Sequence, residues 1–474
     1  MSSFRAIELA PRPAGALSAL VGPERVRRFQ AAGTALAEGL AGRTVWNVSL
    51  DESATGVGEL VRSVLVYVSG FGIATRWLVV EPDAALREIV RRVRSGLKGL
   101  DDDSGRALGA AEHAVYDEAL ADPAQELADH VQPGDVVLLH DPGTAGLAHA
   151  ALHRGAIVVW RCHGGSSART DATERAWAFL QHYIEHVGGF VFSRHGFAPA
   201  WVDPERTSTI TPSLDPLSPK NRPLADPVVR QILTWSGVLA GDVPAAPRAL
   251  RHDGTEGPIR QRARVTSMQG PPPADARLVV QVTRWDPSKD MPGVMRGFAE
   301  HVDAGDTHLV LAGPDPAAPD ADPIARLVFD ECRRVWDALP DASRRRVHLA
   351  TLPADTDESA TVVNALQRHA AVVAQKCLAG DQSTAVAEAM LKARPIVASG
   401  VGGLTEQLRD GYSGLLVDDP HNLATFGAAI TRVLSDDRLA DRLRYNAYAD
   451  AVERLLPDRH LLRWAGLVSK LLDP

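Results

Sequence analysis

Two basic residues follow an apolar segment in the second half of the chain at a spacing suited to binding an anion. Residues 278–282 have the composition of a buried strand, and Arg284 and Lys289 come shortly after it. Two fixed cations near a strand end can hold a diphosphate and stabilise the negative charge that develops as it departs. Taken alone, the two residues are also compatible with an ordinary pair of solvated loop charges.

A glutamate further along the chain lies in a pattern of strand, loop, helix and strand. An apolar run at 371–373 leads into a polar loop, a helical run over 386–391 carries Glu388, and 396–398 form a second apolar strand. This order predicts a βαβ unit of a parallel sheet. A carboxylate near a helix start commonly complements the helix dipole, which is the simpler interpretation of Glu388.

A glycine-bearing turn follows that unit and precedes another helical run. The backbone amides of Gly402, Gly403 and Leu404 are candidates for binding phosphate or sugar hydroxyls at the start of a helix. Glu406 lies in the same run and is a further candidate. A carboxylate in the first turn of a helix nevertheless needs no ligand to explain it.

Two strand ends in the first half of the chain carry imidazole and carboxylate groups. One apolar segment leads into His140 and Asp141, and the next leads into Arg161, His163 and Gly164. A metal site at His140 and Asp141 is disfavoured because no third ligand accompanies them at a suitable spacing. Asp141 is interpreted as a ligand for sugar hydroxyls, with helix capping as the alternative. His163 is either a site residue or a structural hydrogen-bonding group.

The segment 213–221 lies between the two halves of the chain and is stiffened by prolines at 212, 216 and 219. A rigid loop is one interpretation of this segment. The other is that Lys220 and Asn221 reach a ligand.

Length and charge narrow the class of protein. The 474 residues exceed one compact core, so two domains are expected. With 51 basic and 59 acidic residues, the formal net charge of −8 disfavours nucleic acid and acidic membranes as partners and favours a small soluble substrate. The three cysteines have no paired spacing, and no apolar run approaches membrane-spanning length. A cytoplasmic protein without a disulfide framework or structural zinc is therefore expected.

Apolar strands alternate with helical segments in two series, which predicts an α/β fold with two Rossmann-like domains and parallel sheets. The predicted strands lie near 45–48, 76–80, 136–139, 157–160 and 190–192, and then near 278–282, 309–312, 347–349, 371–375 and 396–398. The predicted domains are 1–222 and 277–456, joined by a linker or insertion at 223–276 that is rich in proline and arginine.

Several short motifs occur together in this chain: Gln375-Lys376, Glu388-Ala389-Met390, Arg394-Pro395, Val401-Gly402-Gly403, His140-Asp141-Pro142, and the runs at 160–163, 213–221 and 282–290. As a set they resemble the family 4 retaining glycosyltransferases of GT-B fold, and most of all the trehalose glycosyltransferring synthases. The resemblance implies two Rossmann-like domains that face each other across a cleft. It places the acceptor on the first domain and the nucleotide donor on the second, with a C-terminal helix at 457–474 packing back on the first.

The resemblance also implies roles for individual residues. Arg284 and Lys289 would bind the diphosphate and His163 would face the reacting sugars, and these three are the expected catalytic residues. Glu388 would bind the ribose diol. The further donor-binding candidates are Asp381, Gln382, Ser383, Gly402, Gly403, Leu404 and Glu406. The acceptor-binding candidates are Thr55, Gly56, Asp141, Arg161, Gly164 and Lys220. The expected substrates are a sugar acceptor and a donor linked to GDP, UDP or ADP, without metal or other cofactor, and a homodimer is left open.

Two departures from the family pattern fall at the sugar end of the expected site. The family has a glutamate eight residues before the helix glutamate and then Gly-Phe-Gly, whereas this chain reads Gly-Asp-Gln-Ser at 380–383. Asp381 is a candidate substitute for the carboxylate missing at Gly380. In the first domain the family has three glycines before Val-Ala-Glu, whereas this chain reads Ala-Thr-Gly-Val-Gly-Glu at 54–59.

Intact nucleotide motifs beside altered sugar motifs predict a retaining transferase with a changed substrate. The first hypothesis is a pseudoglycosyltransferase that joins a nucleotide-linked cyclitol to an amino sugar, as in the acarbose-type and validamycin-type pathways of antibiotic biosynthesis. A trehalose synthase-like α-glucosyltransferase is the second, and a non-catalytic nucleotide-sugar sensor is the third. The expected mechanism is front-face transfer, in which the departing diphosphate takes the acceptor's proton.

Overall fold

The computed structural model describes residues 2–50, 56–100, 108–303, 305–318, 321–353, 356–379 and 383–472. The strands are β1 (Phe4–Ala6), β2 (Val45–Ser49), β3 (Thr75–Val80), β4 (Val136–His140), β5 (Ile157–Cys162), β6 (Gly189–Phe192), β7 (Thr207–Thr209), β8 (Arg248–Leu250), β9 (Glu256–Pro258), β10 (Arg264–Thr266), β11 (Arg277–Val282), β12 (Thr307–Pro314), β13 (Val347–Leu352), β14 (Val372–Gln375), β15 (Ile396–Ser399) and β16 (Leu415–Val417).

The helices are α1 (Ser18–Gly39), α2 (Gly56–Gly70), α3 (Ala84–Leu97), α4 (Ala110–His130), α5 (Ala148–His153), α6 (Asp171–Ile184), α7 (Asp226–Trp235), α8 (Met291–His301), α9 (Pro323–Ala338), α10 (Asp341–Arg344), α11 (Asp357–His369), α12 (Thr384–Leu391), α13 (Leu404–Gln407), α14 (Leu423–Ser435), α15 (Asp437–Arg454) and α16 (Pro457–Leu472). In the described part of the chain, no helix combines the length and apolar character needed to cross a membrane.

The first compact unit comprises Met1–Ser213 and Leu455–Pro474. Its sheet has the strand order β1-β3-β2-β4-β5-β6-β7, and all neighbours are parallel except β1, which is antiparallel to β3. The parallel series starts at β2, adds β3 on one side and then continues with β4 on the other. The carboxyl ends of β2 and β4 therefore form a topological switch point, which is where open α/β sheets bind ligands.

Successive residues of β4 face opposite sides of this sheet. Val137 and Leu139 belong to a core with residues of α3, α4 and α6. Val136 and Leu138 instead line a cavity together with residues of α1, α2 and α16. The helix at the end of the chain thus contributes to the same unit as the first strands.

The second compact unit comprises Leu214–Arg454. Its sheet has the order β10-β13-β12-β11-β14-β15-β16, with β10 antiparallel to β13 and the other neighbours parallel. The chain runs from β11 through β12 to β13 on one side and then crosses to β14 on the other side of β11. A second switch point therefore lies between the carboxyl ends of β11 and β14. The prediction of an α/β fold with two parallel-sheet, Rossmann-like domains is confirmed.

The division between the units falls at Ser213 rather than at the predicted residue 222, and the predicted linker at 223–276 belongs to the second unit. This region holds α7, which packs on α11, the hairpin of β8 and β9, and β10, which extends the sheet. Each of these strands has three residues. Strands this short carry no period that a sequence pattern can reveal.

We expect the ion pair between α1 and α16 to stabilise the first unit. Arg25 Nε lies 2.8 Å from Asp458 Oδ2, and the Asp458 side chain is 2% exposed. Replacing Asp458 with asparagine removes one charge of this pair, which is expected to lower the free energy of unfolding by about 3 kcal/mol. Hydrogen exchange in α1 and α16 as a function of denaturant measures this locally, because a chain of two units need not unfold in one step.

The control is Glu24→Gln, which removes exposed ion pairs with Arg27 and Arg28 on the same helix α1. Water screens such pairs, so hydrogen exchange in α1 should change little. Equal effects of the two substitutions would contradict the importance assigned to Asp458.

Candidate active site

Asp141, at the end of β4, is held against β5. Its φ angle is 64°, a conformation that is uncommon for a non-glycine residue. One carboxylate oxygen accepts a hydrogen bond from the backbone N–H of His163 at 2.8 Å, and Arg94 lies 3.6 Å from the other. Burial raises the pKa of Asp141, and the charge of Arg94 opposes that rise. The side chain does not cap the 3-10 turn that follows it, so the capping interpretation is wrong.

A chain of hydrogen bonds joins Asn47, within β2, to His140 and His163 at the ends of β4 and β5. Asn47 Oδ1 lies 3.2 Å from His140 Nε2, and His140 Nδ1 lies 3.0 Å from His163 Nε2. With the amide oxygen facing His140, His140 donates through Nε2 and accepts through Nδ1, so His163 donates through Nε2. His163 Nδ1 is then an acceptor, and it has no hydrogen-bond partner among the described residues.

Arg161 is buried at the end of β5 beside α16. Its Nη1 lies 3.1 Å from His460 Nε2, which also accepts a hydrogen bond from Trp464 Nε1 at 2.8 Å. His460 Nδ1 is therefore the protonated nitrogen, and it donates to the carbonyl oxygen of Thr211 at 3.1 Å. His460 is thus a neutral partner for a buried cation. Burial lowers the pKa of Arg161 to about 10, so the guanidinium keeps its charge at neutral pH.

The three histidines of this cluster are uncharged at neutral pH. Burial, reinforced by the charge of Arg161, lowers the pKa of His140 to about 3 and holds the pKa of both His163 and His460 well below the ordinary range. Together with Asn47 and Arg161 they line the polar end of a cavity of about 60 Å³ whose other walls are mostly aliphatic. The first unit therefore presents neutral imidazoles, one carboxylate and one buried guanidinium near its switch point.

The other acceptor-binding candidates of the first unit are glycines and a threonine. Gly164 follows His163, and its carbonyl oxygen accepts a hydrogen bond from the Cys162 thiol at 3.0 Å. Gly56 begins α2 with a φ of 68°, so it occupies a conformation suited to glycine. Thr55 and Ala54 lie outside the described residues.

The second switch point brings together the loops that follow β11 and β14. The backbone N–H of Leu378 donates to the carbonyl oxygen of Ser288 at 2.9 Å. Gln281, which is fully buried in β11, donates to the carbonyl oxygen of Lys289 and accepts from the backbone N–H of Lys376, both at 2.8 Å. The buried amide of Gln281 thus holds the loop after β11, which carries the predicted diphosphate-binding residues, against the loop after β14.

The two predicted diphosphate-binding cations have different surroundings. The Arg284 side chain is 63% exposed and lies 3.8 Å from Asp286 Oδ2, so it is lightly held. Lys289 is half-buried, and its Nζ lies 3.7 Å from Cys377 Sγ in the neighbouring loop. Trp285 between them is buried in the core and donates to the carbonyl oxygen of Pro314. Both residues follow the carboxyl end of β11, where an anionic ligand can reach their side chains.

Glu388 is the fifth residue of α12 and lies beyond its first turn, so the helix-dipole interpretation does not fit. Its Oε1 lies 2.8 Å from Lys220 Nζ, and Gln367 Nε2 donates to Oε2 at 3.1 Å. Lys220 was predicted to contact the acceptor, but the structure places it beside a donor-binding candidate in the second unit. The reason is that the segment around Lys220 docks on α11 and α12, which a local motif does not reveal.

Other donor-binding candidates are partly engaged within the protein. Ser383 caps α12 through Val386 N–H, and its own backbone groups bind the Gln407 side chain. The amide of Leu404 donates to the carbonyl oxygen of Val401 at 3.2 Å, because the turn closes tightly, so it is not available as predicted. Gly402 has a φ of 51°, Gly403 is buried, and Glu406 is exposed on α13. Gly380, Asp381 and Gln382 lie outside the described residues.

Several polar residues of both clusters were missed by sequence reasoning. They are Asn47, Gln281, Gln367, Lys392 and His460, and all are buried. The available signal was a polar residue within an apolar strand, as for Asn47 and Gln281. In the described part of the chain, no group of three or more histidine, cysteine, aspartate or glutamate side chains is arranged to hold a metal ion.

Comparisons with known proteins agree with this division of the chain. Residues 48–199 match the family model for the trehalose synthase N-terminal domain, and residues 357–450 match that for glycosyl transferases group 1. The trehalose synthase of Rubrobacter xylanophilus is 27% identical over 446 residues, which are 92% of each chain. The trehalose synthase of Thermococcus litoralis is 25% identical and covers 95% of each chain.

Solved structures show the same fold. The UDP-forming alpha,alpha-trehalose-phosphate synthase of Burkholderia vietnamiensis has a TM-score of 0.62 at 13% identity, over 91% of this chain and 99% of that one. Anabaena Alr3699/HepE, solved with UDP and glucose, has a TM-score of 0.59 at 13% identity over 90% and 100% of the two chains. The chain is a glycosyltransferase with the two Rossmann-like domains of the GT-B enzymes. Over nearly its whole length it is similar to trehalose synthases, and this similarity to enzymes speaks against the hypothesis of a non-catalytic sensor.

The neutral histidines predict a dependence of stability on pH. In the unfolded chain each takes up a proton below about pH 6.5, whereas in the folded unit it does not, so the unfolded state binds more protons in acid. The first unit should therefore lose stability as the pH falls below about 6.5, by up to about 1.4 kcal/mol per pH unit for each histidine.

Thermal unfolding between about pH 7 and pH 5 measures this slope. His460→Gln removes one titrating group and should flatten it. His153→Gln, at an exposed position of α5, is the control for the substitution itself. A His460→Gln variant with the slope of the unmodified protein would contradict the assignment of His460 as a neutral buried group.

Proposed function

We propose that the protein is a retaining, family 4-type transferase that uses a nucleotide-diphosphate-activated, sugar-like donor. The observation that supports this most is the contact between the loops after β11 and β14. The first loop carries Arg284 and Lys289, and the second leads into the helix that carries Glu388. Two cations and a paired carboxylate at one switch point suit a nucleoside diphosphate, whose phosphates need positive charge and whose ribose offers two hydroxyl donors.

In the proposed reaction, the bond between the reacting carbon of the donor and the diphosphate oxygen breaks, and the diphosphate keeps the electron pair. Arg284 and Lys289 stabilise the charge that develops on it. The acceptor attacks from the face that the diphosphate leaves, and its proton passes to a phosphate oxygen. The two cations supply the charge stabilisation that a metal ion would otherwise provide, so no metal is required.

The first unit is the proposed acceptor side. His163 Nδ1 is a neutral nitrogen without a hydrogen-bond partner among the described residues, so it can accept a hydrogen bond from a hydroxyl or an amine. Asp141 beside it contributes a buried carboxylate. Because the imidazole carries no charge, it adds no repulsion toward an acceptor that develops positive charge during attack.

We further propose that the donor is a cyclitol and the acceptor an amino sugar, so that a C–N bond forms. The support is the glycine at position 380, where the resembling family has the carboxylate that grips an ordinary donor sugar. In an unsaturated cyclitol an allylic cation can spread the positive charge that a ring oxygen stabilises in an oxocarbenium ion. Such an enzyme belongs to natural-product biosynthesis.

A second candidate function is the transfer of glucose from a nucleotide to a glucose acceptor, which forms trehalose or a related disaccharide. It is favoured by the trehalose synthases of Rubrobacter xylanophilus and Thermococcus litoralis, whose similarity extends over 92% and 95% of this chain. The same residues of the second unit would bind the donor in both reactions, and the difference would lie at the sugar.

The role of the two cations predicts the effect of their removal. Lys289→Met and Arg284→Met should each lower kcat by about a hundredfold or more, because a preorganised donor to the leaving group is lost. Arg277→Met is the control, since Arg277 is an exposed arginine at the opposite, amino end of the same strand β11. Steady-state kinetics of the three variants measure the effect. A kcat for Lys289→Met close to that of Arg277→Met would contradict the proposal.

Mass spectrometry of the products separates the two candidate functions. The purified protein is incubated with UDP-, GDP- or ADP-glucose or with a GDP-linked unsaturated cyclitol, and with glucose or an amino sugar as acceptor. We expect coupling of the cyclitol to the amine and no transfer of glucose. A disaccharide formed from an ordinary nucleotide sugar would overturn the cyclitol proposal in favour of the trehalose-forming one.

A further inference from the structure

We propose that Lys220 is a positioning residue that determines the selectivity of the donor site for ribonucleotides, and that it acts through Glu388. The inference rests on the donor site proposed above. Lys220 Nζ lies 2.8 Å from Glu388 Oε1, and the two side chains are 8% and 1% exposed. Burying a carboxylate without a cation costs several kcal/mol, so Lys220 is what permits a charged acceptor at this depth.

Gln367 holds the second oxygen of the same carboxylate in a defined orientation. Its Nε2 donates to Glu388 Oε2 at 3.1 Å, and its Oε1 accepts from Lys392 Nζ at 2.7 Å. Because an ammonium group can only donate, the contact with Lys392 fixes which end of the amide faces Glu388. The amide is therefore a donor to Glu388 and cannot act as an acceptor there.

These two contacts leave Glu388 with capacity for a ligand. A carboxylate has two acceptor sites on each oxygen, and Lys220 and Gln367 each use one. Within the described part of the chain no further donor contacts this carboxylate, so one site remains on each oxygen. A ribose diol can supply two parallel O–H donors to this pair, whereas a 2′-deoxyribose supplies one and leaves the other site empty. Leaving a buried charged acceptor unsatisfied is costly, so the site should reject the deoxy sugar.

The position of Lys220 is itself determined by buried hydrogen bonds within the second unit. The neighbouring Asn221 accepts from Lys392 Nζ at 3.0 Å and donates to the carbonyl oxygen of Asp215 at 3.2 Å. Asn364 donates to the carbonyl oxygen of Pro219 at 3.1 Å. The segment around Lys220 is thus held on α11 and α12, and its ammonium group is directed to one oxygen of Glu388.

A simpler explanation is that the ion pair only anchors this segment. Arg368 offers the matched control, because its Nη2 donates to the carbonyl oxygens of Asn221 and Arg222 at 2.9 and 3.1 Å. Arg368 therefore holds the same segment from α11 through contacts that do not involve Glu388. Replacing Arg368 thus weakens the anchoring of the segment, whereas replacing Lys220 removes the ion-pair partner of Glu388, so the two effects can be measured separately.

The experiment measures the binding of UDP, GDP and ADP, and of their 2′-deoxy counterparts, by isothermal titration calorimetry on the full chain. For the base that binds, the unmodified protein should prefer the ribonucleotide by about tenfold or more. In Lys220→Met that preference should fall to near unity, because Glu388 is no longer held for the diol. In Arg368→Met the preference should persist.

A double variant keeps the test valid if Lys220→Met folds poorly. Glu388→Gln alone should lose the ribose preference, and Lys220→Met/Glu388→Gln should lose no more, because Lys220 acts only through Glu388. The double variant also removes both charges of the buried pair, which is less costly than removing one.

The outcomes separate this inference from the function on which it rests. If the unmodified protein binds a diphosphate and Lys220→Met weakens the ribo and deoxy forms by the same factor, the inference is overturned and the proposed function stands. The same conclusion follows if Arg368→Met loses the preference equally. If none of the three nucleoside diphosphates binds, the proposed donor site is overturned together with the inference.

Discussion

The order of the strands in each parallel sheet is the constraint on which the rest of the structure depends. In both units the parallel series starts in the middle of the sheet, extends to one side and then continues on the other. This leaves two adjacent strands whose loops run to opposite sides, and between them a crevice at the carboxyl end of the sheet. The candidate residues collect there: Asp141 and His163 in the first unit, and Lys289 and Glu388 in the second.

Polar side chains within the protein interior keep these crevices in shape. In the second unit the buried amide of Gln281 hydrogen-bonds to the loops after β11 and β14 and fixes them to each other. Gln367, which is itself held by Lys392, orients the carboxylate of Glu388. In the first unit, burial keeps His163 and His460 neutral, and they serve as hydrogen-bonding groups. Such networks are costly when partly satisfied, so a bound ligand that completes them gains affinity and selectivity.

The sequence was sufficient for five of the seven strands in each sheet and for residues at strand ends. Apolar runs that alternate with segments of helical periodicity predicted the strands near Val136 and Leu278. A residue directly after a parallel strand lies at the carboxyl edge of the sheet. Arg284 and Asp141 could be found for that reason. The three-residue strands, such as β10, have no readable period. The partner of Lys220 could not be predicted, because it depends on how a distant segment docks on α11 and α12.

The measurement that tests the central claim most directly is hydrogen exchange of the full chain with and without UDP, GDP and ADP. The claim is that the nucleotide binds at the switch point between β11 and β14. For whichever nucleotide binds, protection should be strongest in peptides covering 283–290 and 376–391 of the second unit. Binding with protection elsewhere, and with these two loops unchanged, would contradict the claim.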